Sequence, residues 1–118
     1  MRSAPGDRTR TLLVDGRAVA CLEIATSRRA RSRGLLGRDQ MEGALLLERT
    51  RSVHTYAMRF PIDVALCTAG LRVLAVRTLP PGRLTLPRWR GRSVLEAEAG
   101  AFAAWGLAAG SRLGVSEC

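Results

Sequence analysis

Between Thr11 and Ala25 the chain reads "TLLV" and "RAVACLEIA" on either side of Asp15-Gly16, and this pair constrains the fold more than any other short feature. Asp-Gly tolerates positive φ at both central positions of a two-residue turn, the type I′ geometry whose twist matches that of the strands it joins. The chain therefore opens with a β-hairpin. "GALLLE", "SVHTYAM", "IDVALCT", "LRVLAVRTL" and "SVLEAE" follow at turn-like spacing. Each run is short, rich in Val, Leu or Ile, and bounded by Gly, Pro or charge. The series predicts a mainly β (α+β) fold, a compact β-barrel or β-sandwich-like domain.

Two stretches change character. "TSRRARSRGLLGR" has Thr26 or Ser27 as N-cap and Gly34 or Gly37 as stop, which predicts a short helix. "AGAFAAWGLAAG" places Phe102 and Trp105 at helical spacing ahead of a Gly stop, so a second short helix is expected before "SRLGV". The longest irregular connection, "PPGRLTLPRWRG", carries three prolines and is excluded from a sheet interior. It is expected to cross the outside of the fold and display Arg83, Arg88, Trp89, Arg90 and Arg92. Residues 1–9 mix charge, Pro and Gly without period and read as a flexible basic arm. Residues 10–118 read as a single β-rich domain, long enough to bury roughly two thirds of its unfolded surface without disulfides or metal.

The net charge is +9, and all nineteen basic residues are arginine. A complete exchange of Lys for Arg is a composition bias, so the choice of Arg carries little functional weight. The excess over ten acids does carry weight, because it attracts polyanions, acidic partners and anionic surfaces. Three cysteines, Cys21, Cys67 and Cys118, are odd in number and widely spaced, with no C-x-x-C. They read as reduced thiols in a cytoplasmic protein. "TLLVDGRAVACLEIA" is interrupted by Asp15, Arg17 and Glu23, which excludes it as a membrane span or signal core. A monomer is the expectation, and nothing in the sequence requires a cofactor.

Candidate site residues fall into three groups. In an extended strand His54, Tyr56 and Met58 share one face. A packed, hydrogen-bonded histidine is the favoured reading there, because the chain has a single His and hence no His partner for a metal. Asp63 lies between Ile62 and Val64, and Glu96 between Leu95 and Ala97. A carboxylate so placed needs backbone N–H donors or an arginine such as Arg31, Arg33 or Arg59. Read as an enzyme, Asp63 and Glu96 would divide general-acid and base or nucleophile roles in a glycosidase-like hydrolase, with His54 beside them. A Cys67–His54 hydrolase lacks any surrounding signature. The third group is the arginines: Arg28, Arg29, Arg31, Arg33 and Arg38 around the first helix, and Arg83, Arg88, Arg90 and Arg92 around the long connection. With Trp89 available for stacking, these would make one positive face if the two surfaces adjoin.

The run "VHTYAMRFPIDVALCTAGLRVLAV", preceded by "GLLGR" and "GALLLE" and followed by "LPPGRL" and "VLEAEAG", resembles the bacterial and archaeal family called domain of unknown function 192. The likeness runs from about Ala18 to about Val115. It implies a compact β-rich barrel or sandwich with short flanking helices, and it implies no reaction. The matching positions are Arg31, Gly34, Leu35, Arg38, His54, Thr55, Met58, Pro61, Ile62, Asp63, Leu95, Glu96 and Gly100. Three departures stand out. Arg29 and Ala30 replace acids early in the first helix, Tyr56-Ala57 precedes Met58, and Leu66-Cys67-Thr68 lacks the aromatic and acid that often close that strand.

The reading is a noncatalytic binding module with an arginine-rich face for an anionic ligand or acidic protein partner, with candidate ligand-binding residues Arg28, Arg29, Arg31, His54, Arg59, Asp63, Trp89 and Glu96. The alternatives are the Asp63–Glu96 hydrolase and a nucleic-acid-associated protein.

Overall fold

Asp15 and Gly16 take φ of 50° and 86°, the paired positive values of a type I′ turn. In the computed structural model the described residues are 10–25, 41–51, 55, 58–83 and 90–117. The turn joins β1 (Arg10–Val14) to β2 (Arg17–Ala25), which pair antiparallel. After them come β3 (Ala44–Glu48), β4 (Ile62–Cys67), β5 (Val73–Leu79), β6 (Ser93–Glu98), α1 (Ala101–Trp105) and β7 (Leu113–Glu117). All seven strands form one sheet in the order β5-β4-β6-β3-β2-β1-β7. Every pairing is antiparallel except β2 with β3.

The sheet curls, and the two faces bury different clusters. Leu12, Val14, Leu22, Leu46, Ala65, Cys67, Val73, Leu95, Ala97 and Leu113 pack with Phe102 and Leu107 on the concave face. Leu45, Leu47, Ile62, Val64, Leu79 and Val94 pack with Met41 and Met58 on the other. In β3, β4 and β6 consecutive residues therefore alternate between two apolar clusters. This explains why "ALLLE" reads as a continuous apolar run instead of an apolar-polar alternation.

Curling brings the edge strands together at one point, the isolated antiparallel bridge Arg72↔Arg112. Around it the Val73 N–H donates to Ser111 O at 2.9 Å and the Leu113 N–H to Leu71 O at 2.9 Å. No ladder continues along β5 and β7, so the sheet is not closed into a barrel. The mainly β class stands. Of the two expected helices, the one around Phe102 and Trp105 is α1, ended by Gly106 in the left-handed region at φ 69°. The other, within 26–38, lies outside the described residues, as does the arm at 1–9.

The apolar pattern of "SVHTYAM" predicts a strand. Thr55 and Met58 instead lie outside any strand, and the Met58 N–H donates to Thr55 O at 3.1 Å. Ser52, Val53, His54, Tyr56 and Ala57, the rest of that run, lie outside the described residues.

Gly43 enters β3 at φ 79°, and a Cβ there would stand 2.5 Å from the backbone oxygen of Cys21. A backbone atom cannot swing aside as a side chain tip can, so this glycine permits the close β2–β3 approach. Gly16 has φ 86° but open space around it. Gly43→Ala is expected to lower unfolding free energy by about 3 kcal/mol, left-handed strain plus clash, and Gly16→Ala by only about 1 kcal/mol. Urea unfolding of both variants tests the difference.

Candidate functional site

Asp63 is buried at 3% exposure on β4, on the concave face, opposite Ala97 of β6 and Thr78 of β5. Its Oδ1 accepts from the Thr78 hydroxyl at 2.6 Å, and its Oδ2 accepts from the backbone N–H groups of Gly100 at 3.0 Å and Phe102 at 3.1 Å. Those N–H groups belong to the start of α1, where Gly100 offers no side-chain cap. A strand carboxylate thus takes the place of a missing cap residue and holds Phe102 in the concave core. Of the two partner types expected for Asp63, backbone donors are the ones found here.

Thr55 organises the segment before β4. It is fully buried. Its hydroxyl donates to Pro80 O at 2.7 Å and accepts the Arg83 N–H at 2.8 Å. Its backbone N–H donates to Arg83 O at 2.7 Å, and its carbonyl accepts the Gly82 N–H at 2.8 Å. The central motif is thereby fastened to the Pro-Pro-Gly-Arg turn that follows β5. Met58 is buried in the cluster with Leu45, Leu47, Ile62 and Val64, and Arg59 next to it is exposed. His54, Tyr56 and Trp89 lie outside the described residues, as do Arg28, Arg29, Arg31, Arg33, Arg38 and Arg88.

Glu96 does not join Asp63. Its register partners are Val64 of β4 and Leu45 of β3, both in the cluster opposite to the concave one. Asp63 and Glu96 therefore point to opposite faces of the sheet, and both are at most 4% exposed. No cleft between them can hold a sugar and a water, so the acid/base pair of the hydrolase reading has no geometry. The companion of Glu96 is Glu23. It too is buried, and it flanks Leu45 from β2. Two strand spacings put these carboxylate-bearing positions about 10 Å apart on one face. Among the described residues no group of three or more His, Cys, Asp and Glu is arranged to hold a metal.

The arginines are redistributed by the strand pairing. Arg83 sits at the Leu79 end of β5, fixed to Thr55, whereas Arg92 precedes β6 at the Cys67 end of β4. The length of β4, about 17 Å for six residues, separates them, so Arg83 and Arg92 lie at two different ends of the sheet. A different set gathers at the Cys67 end. The Thr50 N–H donates to Arg92 O at 3.0 Å, the Arg92 N–H to Cys67 O at 2.8 Å, and the Thr68 N–H to Arg72 O at 3.0 Å. Through Arg72↔Arg112 the row continues to β7. Neighbouring chain segments thus carry Arg49 and Arg51, Arg90 and Arg92, Arg72, and Arg112, all exposed, with Glu48 and Asp15 as acids on the same segments. Arg49, Arg51, Arg72 and Arg112 were not singled out in the sequence. The legible signal was arginine recurring at strand boundaries in "LERTR", "GLRV" and "SRLG".

The family comparison matches residues 10–115 to DUF192, described as "Uncharacterized ACR". The chain belongs to that family. Family membership accords with the resemblance carried by the central motif, and the Thr55 clamp and Asp63 cap are what that motif does structurally in this member. Two solved structures share the fold. One, a protein of unknown function from Novosphingobium aromaticivorans DSM 12444, is 22% identical with TM-score 0.76, covering 88% of this chain and 83% of that one. The other, described as a "putative transcription regulator" from Sinorhizobium meliloti 1021, is 23% identical with TM-score 0.79, covering 97% of this chain and 98% of that one. No curated protein matches significantly. Among the described residues no helix is long and apolar enough to cross a membrane.

Asp63→Ala leaves two backbone N–H groups without an acceptor and is expected to cost about 3 kcal/mol, with Asp63→Asn, which keeps one acceptor oxygen, losing about half of that. Denaturant titration measures both. Cys67 is fully buried, and burial pushes its thiol up from 9.0 to about 12, against a smaller opposing effect of Ser93. A raised folded value means that the unfolded thiolate forms first as pH rises. Stability held below pH 9 is then lost toward pH 12, by at most about 1.4 kcal/mol per pH unit. Alkaline unfolding of Cys67→Ala should lack this component. A thiol reagent at neutral pH should label exposed Cys21 in the native protein and Cys67 only after unfolding.

Proposed function

We propose that the protein is a small noncatalytic binding module whose arginine-rich end takes an anionic ligand or an acidic protein partner. The observation that carries this reading is the row of Arg49, Arg51, Arg72, Arg90, Arg92 and Arg112 on chain segments joined side by side by backbone bonds. Six guanidinium groups against Glu48 and Asp15 give that end a strong local field, in the same sense as the net charge of +9. The residues first expected to carry chemistry point away from catalysis. Asp63 is occupied in holding α1, and Glu96 lies on the opposite face. Cys67, with its raised pKa, is no nucleophile. Arg28, Arg29, Arg31 and Trp89 remain candidates to extend the positive surface. The free thiols of Cys21 and Cys67 support a cytoplasmic setting.

Nucleic acid is the second reading. It draws on the same charge and on the regulator description of the Sinorhizobium meliloti protein, whose 23% identity carries the fold and no more. The two readings separate by ionic strength. A labelled Glu-rich peptide is expected to bind at moderate salt, and Arg49→Gln with Arg51→Gln to weaken it about tenfold. Anisotropy titrations with that peptide and with an RNA oligonucleotide across a salt series decide the matter. RNA binding with a log–log slope of about −0.7 per neutralised phosphate, in the absence of peptide binding, transfers the assignment to nucleic acid. If peptide, phosphate, nucleotide and RNA all fail to bind at moderate salt, the reading is wrong.

A further inference from the structure

The bridge that joins the two edges of the sheet is made of two arginines. Arg72 and Arg112 are direct partners in an antiparallel bridge, which sets their Cβ atoms about 5 Å apart on the same side. Their chain neighbours Val73 and Leu113 both belong to the concave cluster. Strand alternation therefore turns both arginines outward, and both are exposed. Like charges directly opposite oppose pairing. A sheet held by such a pair at the place where its edges meet is weakest where it most needs a fastening.

The local groups relieve only part of this. One guanidinium nitrogen of Arg72, Nη1, donates to Gly110 O at 3.1 Å. Asp15 is the acid tied to this corner. Its Oδ1 accepts the backbone N–H of Arg112 at 2.9 Å, while its own N–H donates to Arg112 O at 2.8 Å. Each guanidinium carries five N–H donors, so a single bond from Arg72 leaves donors for a ligand on the outward side. A tetrahedral dianion has both the charge to cancel the pair and the oxygens to accept from two forks at once.

We propose that Arg72 and Arg112 form a site for a phosphate-type oxyanion, and that an anion held there fastens the β5 edge to the β7 edge. The proposal rests on the reading of the arginine row as anion-binding and assigns one ligand class to one pair within it. The ligand is either free inorganic phosphate or the phosphate of an ester, since both present the same oxygens.

Three backbone N–H groups report on the junction: Val73 to Ser111 O, Leu113 to Leu71 O, and Gly110 to Val73 O. Hydrogen exchange of the full chain is compared in sodium phosphate and in sodium chloride at matched ionic strength. Phosphate at ten times its dissociation constant should slow exchange at these three amides about tenfold in the wild type. Arg72→Gln should abolish that slowing and, in chloride, exchange more slowly than the wild type because the like-charge opposition is gone. Arg112→Gln should do the same. A nucleoside 5′-monophosphate that protects at lower concentration than phosphate identifies esters as the source, and equal protection identifies the free ion. Absence of slowing in the wild type, or equal slowing in both Gln variants, overturns the proposal. Should phosphate protection survive Arg72→Gln but vanish in Arg49→Gln with Arg51→Gln, the site is wrong and the broader reading stands. Protection at the junction that is lost in both single Gln variants, with no peptide binding, upholds the site and removes the acidic-partner reading.

Discussion

A strand whose residues are apolar on both sides must be covered on both sides, and β3, β4 and β6 impose that demand at the centre of this sheet. A flat seven-stranded sheet could not meet it on its own. Curling does so on one side, because Leu12, Leu22, Leu46, Ala65 and Leu95 then face one another with Val73 and Leu113 brought in from the two edges. The opposite side is met by the segments around Met41 and Met58, which lie over Leu45, Leu47, Ile62 and Val64. The closing bridge, the bulge where β4 shifts register against β5 between Leu66 and Cys67, and the left-handed entry at Gly43 all follow from curling this one sheet tightly.

Polar groups within such a sheet are costly unless their bonds are made, which explains where the charged residues of the strands have gone. Asp63 faces the concave core, yet its carboxylate has three donors and closes the entry of a five-residue helix that could not stand alone. Thr55 solves the same problem for a loop. Its hydroxyl and backbone bond to Pro80 O and to the backbone of Gly82 and Arg83, so the motif and the turn after β5 behave as one unit. Both residues thus carry hydrogen bonds on which the local fold depends.

The hairpin, most strand positions and the α1 stop were legible because they depend on neighbours within a few residues: Asp15-Gly16, the Val/Leu-rich runs, Gly106. The buried state of Asp63 was also readable from Ile62 and Val64 beside it. Its partners were not, since Gly100 and Phe102 lie 37 and 39 residues away. The same distance in sequence hid the pairing of faces. "IDVALC" and "SVLEAE" each show an acid among apolar residues, but only the register Val64↔Glu96 puts Glu96 behind the sheet and Asp63 in front of it. Whether the sheet closes is not legible for a related reason. Short strands at even spacing suit closed and open sheets alike, and the difference lies in whether the first and last edges pair over a ladder or at Arg72 and Arg112 alone.

That bridge ties the fold to the proposed anion site. Hydrophobic burial brings Val73 and Leu113 together on the concave side and thereby forces the residues before them, two arginines, side by side in solvent. The apolar term favours closure and the electrostatic term opposes it, at the same residues and in the same geometry. Since burial of apolar side chains is worth more than an exposed like-charge contact, the junction forms. Because the opposing term is electrostatic and outward-facing, salt and multivalent anions act on it directly, while the concave core is shielded from both. With an anion at the proposed site, a sheet edge held in this way would couple the ionic surroundings to the backbone bonds of Val73, Gly110 and Leu113, with Arg49, Arg51, Arg90 and Arg92 on the neighbouring segments at the same end of the sheet.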